Sequence, residues 1–198
     1  MIKQMKIIGL QGVNASGKSM LSHKLVQDYP EYDIVATDNL VAINRMLNRN
    51  DPRIQYSSYS SWKRFFEPTR DNIWQGFCEY REANRIYLEC LLRRAKDQRV
   101  GMIIEGLHIE PELFFSYSAN LDVDIFLLMV TDEEMHKERI RQKCLDRPTL
   151  LKELDSFFPH IRILQGLLIE EARKYPIKLI ETGIVMDESL KQIRDALK

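Results

Sequence analysis

Eight consecutive residues, Gly12-Val13-Asn14-Ala15-Ser16-Gly17-Lys18-Ser19, satisfy G-x-x-x-x-G-K-[ST] at every fixed position. The apolar run MKIIGLQ precedes them and the helix-like MLSHKLVQDY follows, which is the strand–loop–helix setting a phosphate-binding loop requires. Glycines at the fixed positions let the backbone curl until successive N–H groups face phosphate oxygens. The helix that follows adds its positive end. In such a loop the lysine, Lys18, reaches the β- and γ-phosphates and the hydroxyl, Ser19, holds Mg²⁺. The expected ligands are therefore ATP, or another nucleoside triphosphate, and Mg²⁺.

Three further groups carry chemistry that such a loop needs. Asp38 follows the apolar run IVAT, at the carboxyl end of an expected strand, where α/β sheets present ligands. It is placed to act as general base or orienting group for an acceptor hydroxyl, and it also reads as a helix N-cap. Glu105 ends MIIE and is expected to orient magnesium or its water. Gly106 beside it permits close backbone approach, and Glu105 and His108 on the same exit loop are further candidate contacts for the acceptor. In TDEEMHKERIRQKCLDRP, helical spacing puts His136, Arg139 and Lys143 on one face, with Lys137 and Arg141 elsewhere. Arg139 is expected to close over the transferring phosphoryl group, against the reading of a solvated charged helix. Arg45, Lys63, Arg64 and Arg70 are candidate contacts for an anionic acceptor, Arg45 and Arg64 foremost. The aromatic group Tyr56, Tyr59, Trp62, Phe65 and Phe66 lacks regular basic interleaving and reads as packing rather than base stacking.

Five short apolar runs must position these groups: Lys6–Leu10, Ile34–Thr37, Met102–Glu105, Ile125–Val130 and Lys178–Glu181. Unbroken Ile, Val and Leu in short stretches separated by helical segments predict parallel strands covered on both faces. The long separation 42–99 reads as a helical insertion on the substrate side that ends in a crossover helix, with apolar spacing through Ile73, Phe77, Tyr80, Ile86, Tyr87, Cys90 and Leu91. A second helical region, 133–173, reads as a lid punctuated by Pro148 and Pro159. All 198 residues are expected to form a single domain.

Twenty-nine basic and 29 acidic residues balance to zero formal charge, which disfavours a nucleic-acid partner. Cys78, Cys90 and Cys144 form no C-x-x-C pair and are expected to be reduced, buried thiols of a cytoplasmic protein. Met1 to Gln11 is too short in its apolar part for a signal peptide, and no stretch is long enough to cross a membrane. The oligomeric state is not fixed by any of these features.

Together GVNASGKS, ATDNLVAINR, SSYSSW, MIIEGLHIEP, HKERIRQKCLDRP and FFPHIRILQ resemble the 2-phosphoglycerate kinase family of phosphate-loop kinases. The family's IIEGVH-x-x-P motif is similar here with Leu107 in place of valine. Its R-F-x-x-R lid pattern is matched by Arg139-Ile140-Arg141-Gln142-Lys143, with lysine replacing a planar bidentate donor. The resemblance implies a three-layer α/β phosphate-loop fold with a five-stranded parallel sheet ordered 2-3-1-4-5. It also implies transfer of the ATP γ-phosphoryl group to a small anionic acceptor, 2-phosphoglycerate, giving 2,3-bisphosphoglycerate. The N-terminal extension of longer members is expected to be absent. Another small-molecule kinase, such as a nucleoside or nucleotide kinase, and a non-catalytic nucleotide-binding regulator remain open as alternatives.

Overall fold

The computed structural model describes residues 5–183 and 186–198; the first four residues of the segment weighed as a signal peptide lie outside them. The chain runs β1 (Lys6–Gln11), α1 (Lys18–Leu25), β2 (Asp33–Ala36), α2 (Thr37–Leu47) and two 3-10 turns (Pro52–Ile54, Ser61–Phe65). It continues α3 (Arg70–Gln98), β3 (Met102–Gly106), α4 (Pro111–Ser116), β4 (Asp122–Met129), α5 (Glu133–Lys143), α6 (Pro148–Lys152), α7 (Leu154–Ala172), β5 (Lys178–Glu181) and α8 (Met186–Ala196). All strands are parallel in the order β2-β3-β1-β4-β5, as the resemblance implies.

Strand alternation builds the three layers. Ile8, Leu10, Ile103, Phe126 and Leu128 point to one face and bury Leu21 and Leu25 of α1 with Leu190 and Ile193 of α8. Ile7, Met102, Ile104 and Ile125 point to the other and bury Leu88 and Leu92 of α3 with Leu113 and Phe114 of α4. Ile7, Ile8 and Leu10 are fully buried, each contributing about 1.5–3 kcal/mol of transfer free energy. That rigid central strand delivers its carboxyl end to the phosphate loop.

Several expectations need correction. In α3 the buried stripe is Ile73, Phe77, Tyr80, Arg81, Asn84, Leu88, Leu92 and Ala95, while Ile86 is 58% exposed and Cys90 is also exposed. The true 3.6-residue stripe passes through two polar residues, and these hide its phase from an apolar count. Arg81 is neutralised by Glu171 through two 2.8 Å bonds, and Asn84 donates to Tyr80 O. Phe66 is 91% exposed and does not pack with its aromatic neighbours. Pro148 begins α6, but α7 runs through Pro159 without ending. The bulk of α7 is core, packing Leu164 and Leu168 among Leu127, Ile73 and Phe77.

Candidate active site

Gly12 opens the loop where a Cβ would lie 2.5 Å from Ser16 Oγ and 2.6 Å from Leu128 O, so only glycine fits. Ala15 takes a left-handed conformation (φ 60°) at the bend, and Gly17 leads directly into α1. Three loop carbonyls are held by side chains from three elements. Val13 O accepts from Lys18 Nζ at 2.9 Å, Asn14 O from His136 Nε2 at 2.8 Å, and Ser16 O from Thr182 Oγ1 at 2.9 Å. In a planar trans peptide the following N–H points the opposite way from the carbonyl. Anchoring these oxygens therefore aims the amides of Asn14, Ala15 and Gly17 to the other side.

Lys18 sits within the curl of the loop, and burial pushes its ammonium down to about 8, opposed by the Glu105 carboxylate and reinforced by Lys143. Ser19 Oγ donates to Glu105 Oε1 at 2.8 Å. A hydroxyl and a carboxylate side by side at the loop are hard oxygen donors suited to Mg²⁺, which takes a few protein oxygens and completes its shell with phosphate and water. Among the described residues no cluster of three His, Cys, Asp or Glu offers an all-protein metal site.

The strand ends then bring in a second set of polar groups. Gly106 has no room for a side chain, because a Cβ would meet Thr37 Oγ1 at 1.7 Å. The close approach expected at Gly106 is thus with Thr37. Thr37 begins α2 rather than ending β2, so Asp38 lies in the first turn of that helix, and the N-cap position belongs to Ala36. The Asp38 side chain is 88% exposed, with Oδ1 4.0 Å from His108 Nδ1. His108 is buried, its Nδ1 is 3.0 Å from Thr37 Oγ1, and Nε2 has no hydrogen-bond partner among the described residues. Burial holds its imidazole well below the ordinary range, against the pull of Asp38, so the ring is neutral. Tyr80 lies 5.2 Å from the His108 ring, and burial pushes its phenol up to about 12.

Two adjoining clefts share Lys18, Ser19 and Lys143. The first, of about 310 Å³, is lined by Ala15, Gly17, Met20, Arg139, Gln142 and Met186 besides these three. The second, of about 410 Å³, brings Asn14, Asp38, Arg45, Glu105, His108 and Arg147 to the same lysines and serine. Of the acceptor-side cations named from sequence, Arg45 reaches this second cleft, held by Ile54 O, Tyr56 O and the Tyr80 hydroxyl. Arg64 does not, being bound to Glu79. Arg70 pairs with Glu170, and Lys63 lines a separate cavity beside Trp62 and His160. Arg139 lines the first cleft, not the second, and donates to Thr182 O and Gly183 O. His136, grouped with it as a lid cation, is wholly buried and held below its usual pKa by burial.

Sequence reasoning missed Arg147 as a lining residue, although it stands in the CLDRP segment of the lid motif. Tyr80 was read only as part of an apolar stripe. Nothing in the sequence signalled the Thr182 contact, which depends on β5 lying next to β4.

Comparisons with known proteins give the chain's relatives and its fold. The chain is 29% identical over 195 residues to the 2-phosphoglycerate kinase of Methanopyrus kandleri, covering 94% of this chain and 59% of that protein. It is 28% identical over 189 residues to that of Methanothermobacter thermautotrophicus, covering 90% and 61%, and 26% identical over 200 residues to that of Methanocaldococcus jannaschii, covering 97% and 64%. The chain therefore spans about six-tenths of the length of these curated relatives, and the resemblance read from its motifs holds along nearly all of it. No protein-family model matches the chain. Shikimate kinase from Bacteroides thetaiotaomicron superposes with a TM-score of 0.57 at 14% identity, covering 98% of this chain and 99% of that one. A gluconokinase from Sinorhizobium meliloti 1021 gives 0.51 at 14%, covering 98% and 97%. At these identities the likeness shows the fold, that of the phosphate-loop kinases.

Proposed function

We propose that this chain is an ATP-dependent small-molecule kinase whose acceptor is anionic, with 2-phosphoglycerate the favoured acceptor and 2,3-bisphosphoglycerate the product. The observation that carries this reading is the second cleft, where Lys18, Ser19 and Glu105 of the phosphate site share one cavity with Asp38, Arg45, His108, Lys143 and Arg147. A nucleotide site that opens directly onto a cation-lined pocket joins donor and acceptor in line. The names of the curated relatives favour 2-phosphoglycerate among anionic acceptors.

In the reaction the acceptor hydroxyl oxygen forms a bond to the γ-phosphorus while the bond to the β–γ bridging oxygen breaks, releasing ADP. Asp38 takes the hydroxyl proton. Lys18 stays beside the transferring group and stabilises its charge. Ser19 and Glu105 would hold Mg²⁺, whose chemistry there would be to neutralise charge on the phosphate oxygens. Neutral His108 lines the acceptor pocket, and Arg45, pre-positioned by Tyr80, pairs with the acceptor's anionic groups. Lys143 and Arg147, on α5 and at the start of α6, are the cations that close over the pocket. Arg139, from the nucleotide side, flanks the phosphates. ATP consumption assayed with 2-phosphoglycerate, other phosphorylated acids, sugars and nucleosides tests the proposal. Faster turnover of an uncharged nucleoside than of any anionic acceptor would replace it with a nucleoside kinase.

A further inference from the structure

His136 is the one imidazole that touches the phosphate loop, and nothing in the proposed chemistry uses it. It lies four residues into α5, with no exposed surface. Its Nε2 is 2.8 Å from Asn14 O, and its Nδ1 is 3.2 Å from Arg162 Nη1. A guanidinium only donates, so Nδ1 must accept, and the proton must sit on Nε2, where it donates to Asn14 O. Both nitrogens are thus assigned by their partners, and a second ring proton would face Arg162 directly.

Arg162 is itself fixed. It donates to Val130 O at 2.6 Å and Thr131 O at 3.0 Å, at the exit of β4. Gln165, one turn on, brackets Val130 with bonds from and to its backbone at 3.1 and 3.0 Å. The Phe158 ring meets the imidazole edge-on at 5.6 Å. One continuous chain of contacts therefore runs from α7, through the β4–α5 connection and α5, to the carbonyl of Asn14.

We infer that His136 is a positioning residue of the phosphate loop. As a neutral Nε2–H imidazole braced by Arg162, it pins the Asn14 carbonyl outward so that the Ala15 amide of the same peptide faces the bound phosphates. Ala15 needs that restraint, because its left-handed φ of 60° is costly for a residue with a Cβ. The same contact ties the loop to α5, the helix that carries Arg139 and Lys143.

The inference rests on the nucleotide-site reading, so the test reads nucleotide binding apart from turnover. ADP with Mg²⁺ is titrated calorimetrically into the wild type, His136→Leu, His136→Gln and Arg162→Met, with melting curves of the empty proteins alongside. Leucine fills the space without a donor, whereas glutamine can place an N–H near Nε2. His136→Leu is expected to weaken ADP about ten-fold or more, with His136→Gln within about three-fold of wild type. Arg162→Met should weaken it by a smaller factor that does not multiply with that of His136→Leu. Equal affinity in His136→Leu and wild type, or equal losses in the leucine and glutamine variants, overturns the inference and leaves the nucleotide site standing. Should His136→Leu fail to fold, the glutamine variant and Arg162→Met decide alone: wild-type affinity in the first with a loss in the second supports the relay, and any other pattern overturns it. Failure of the wild type to bind ADP sinks the kinase reading, and the inference with it.

Discussion

The two sides of Lys18 are built on opposite plans. On the kinase reading proposed above, the binding groups of the nucleotide side are backbone amides, and side chains such as His136 and Thr182 hold carbonyls out of the way. On the acceptor side the binding groups are themselves side chains, brought from α2, the β3 exit loop, α5 and the start of α6. A backbone site recognises any phosphate chain and tolerates little change in sequence. A side-chain site takes its specificity from which cations are left unpaired. Arg45 is held by neutral oxygens and keeps its charge for a ligand, whereas Arg64 and Arg70 are matched by Glu79 and Glu170. On that reading the fold would fix the donor and leave the acceptor to a few substitutable residues.

The most severe way to break this arrangement is at Lys18, one of the three residues both clefts share. Lys18→Ala is expected to lower turnover about 10²–10³-fold with the protein still folded, because it removes a cation from the charge that develops in transfer. Steady-state kinetics with a confirmed acceptor, beside a melting curve, checks it. Near-normal turnover in folded Lys18→Ala protein would mean the shared lysine does not serve transfer.

Asp38→Asn separates the two sides. The amide keeps size and loses the proton acceptor, so turnover should drop about a hundred-fold while ATP affinity changes less than about three-fold. Calorimetric ATP binding and kinase rate measured on the same preparation decide the matter. Parallel losses in both would move Asp38 to the nucleotide side, beside Ser19 and Glu105.

The third test contrasts acceptor cations by their pairing. Arg147→Ala or Arg45→Ala should raise the acceptor KM about ten- to a hundred-fold, the worth of one charge-assisted contact, with little change for ATP. Arg64→Ala, which loses only a bond to Glu79, should raise it less than about three-fold. If Arg64→Ala is the more damaging, pairing inside the free protein does not identify the binding cations.

The same contrast explains what the sequence made legible. The phosphate loop was readable because its constraint is local: a Cβ at Gly12 collides with Ser16, four residues away, and with the adjacent strand. The five strands were readable because both faces of each are covered by apolar layers. The acceptor side depends on pairings across the fold, which spacing does not report. Nothing local says that Arg64 meets Glu79 or that Arg147 lines the same cleft as Lys18. His136 misled for a related reason. Its helical spacing with Arg139 and Lys143 is real, but the side facing Asn14 and Arg162 is dry, and burial turns an expected cation into a neutral donor. The α3 stripe was misphased after Tyr80 because its inward positions include Arg81, whose charge is cancelled by a residue 90 positions away.

The smallest expected effect is a pH dependence that belongs to the backbone side alone. In the empty loop, burial pushes the Lys18 ammonium from its ordinary 10.5 down to about 8, and a bound phosphate chain supplies the counter-charge that restores it. The Lys18 contribution to ADP affinity, measured without metal, should therefore be nearly flat below about pH 7 and fall as pH rises through about 8, approaching a ten-fold loss per unit. Above that point binding must draw a proton from solution, so the calorimetric heat at pH 8.5 should vary with the ionisation enthalpy of the buffer. The sign for stability is opposite to that for affinity. Between about 8 and 10.5 the unfolded chain holds a proton on Lys18 that the folded empty protein has released, so this residue's contribution to stability rises with pH across the window. Lys18→Met should abolish both slopes and leave the empty protein at least as stable as wild type below pH 8. Buffer-independent heats at pH 8.5 with an affinity that does not fall would show that the lysine enters the loop already charged, and that the empty backbone site is wetter than its enclosed geometry implies.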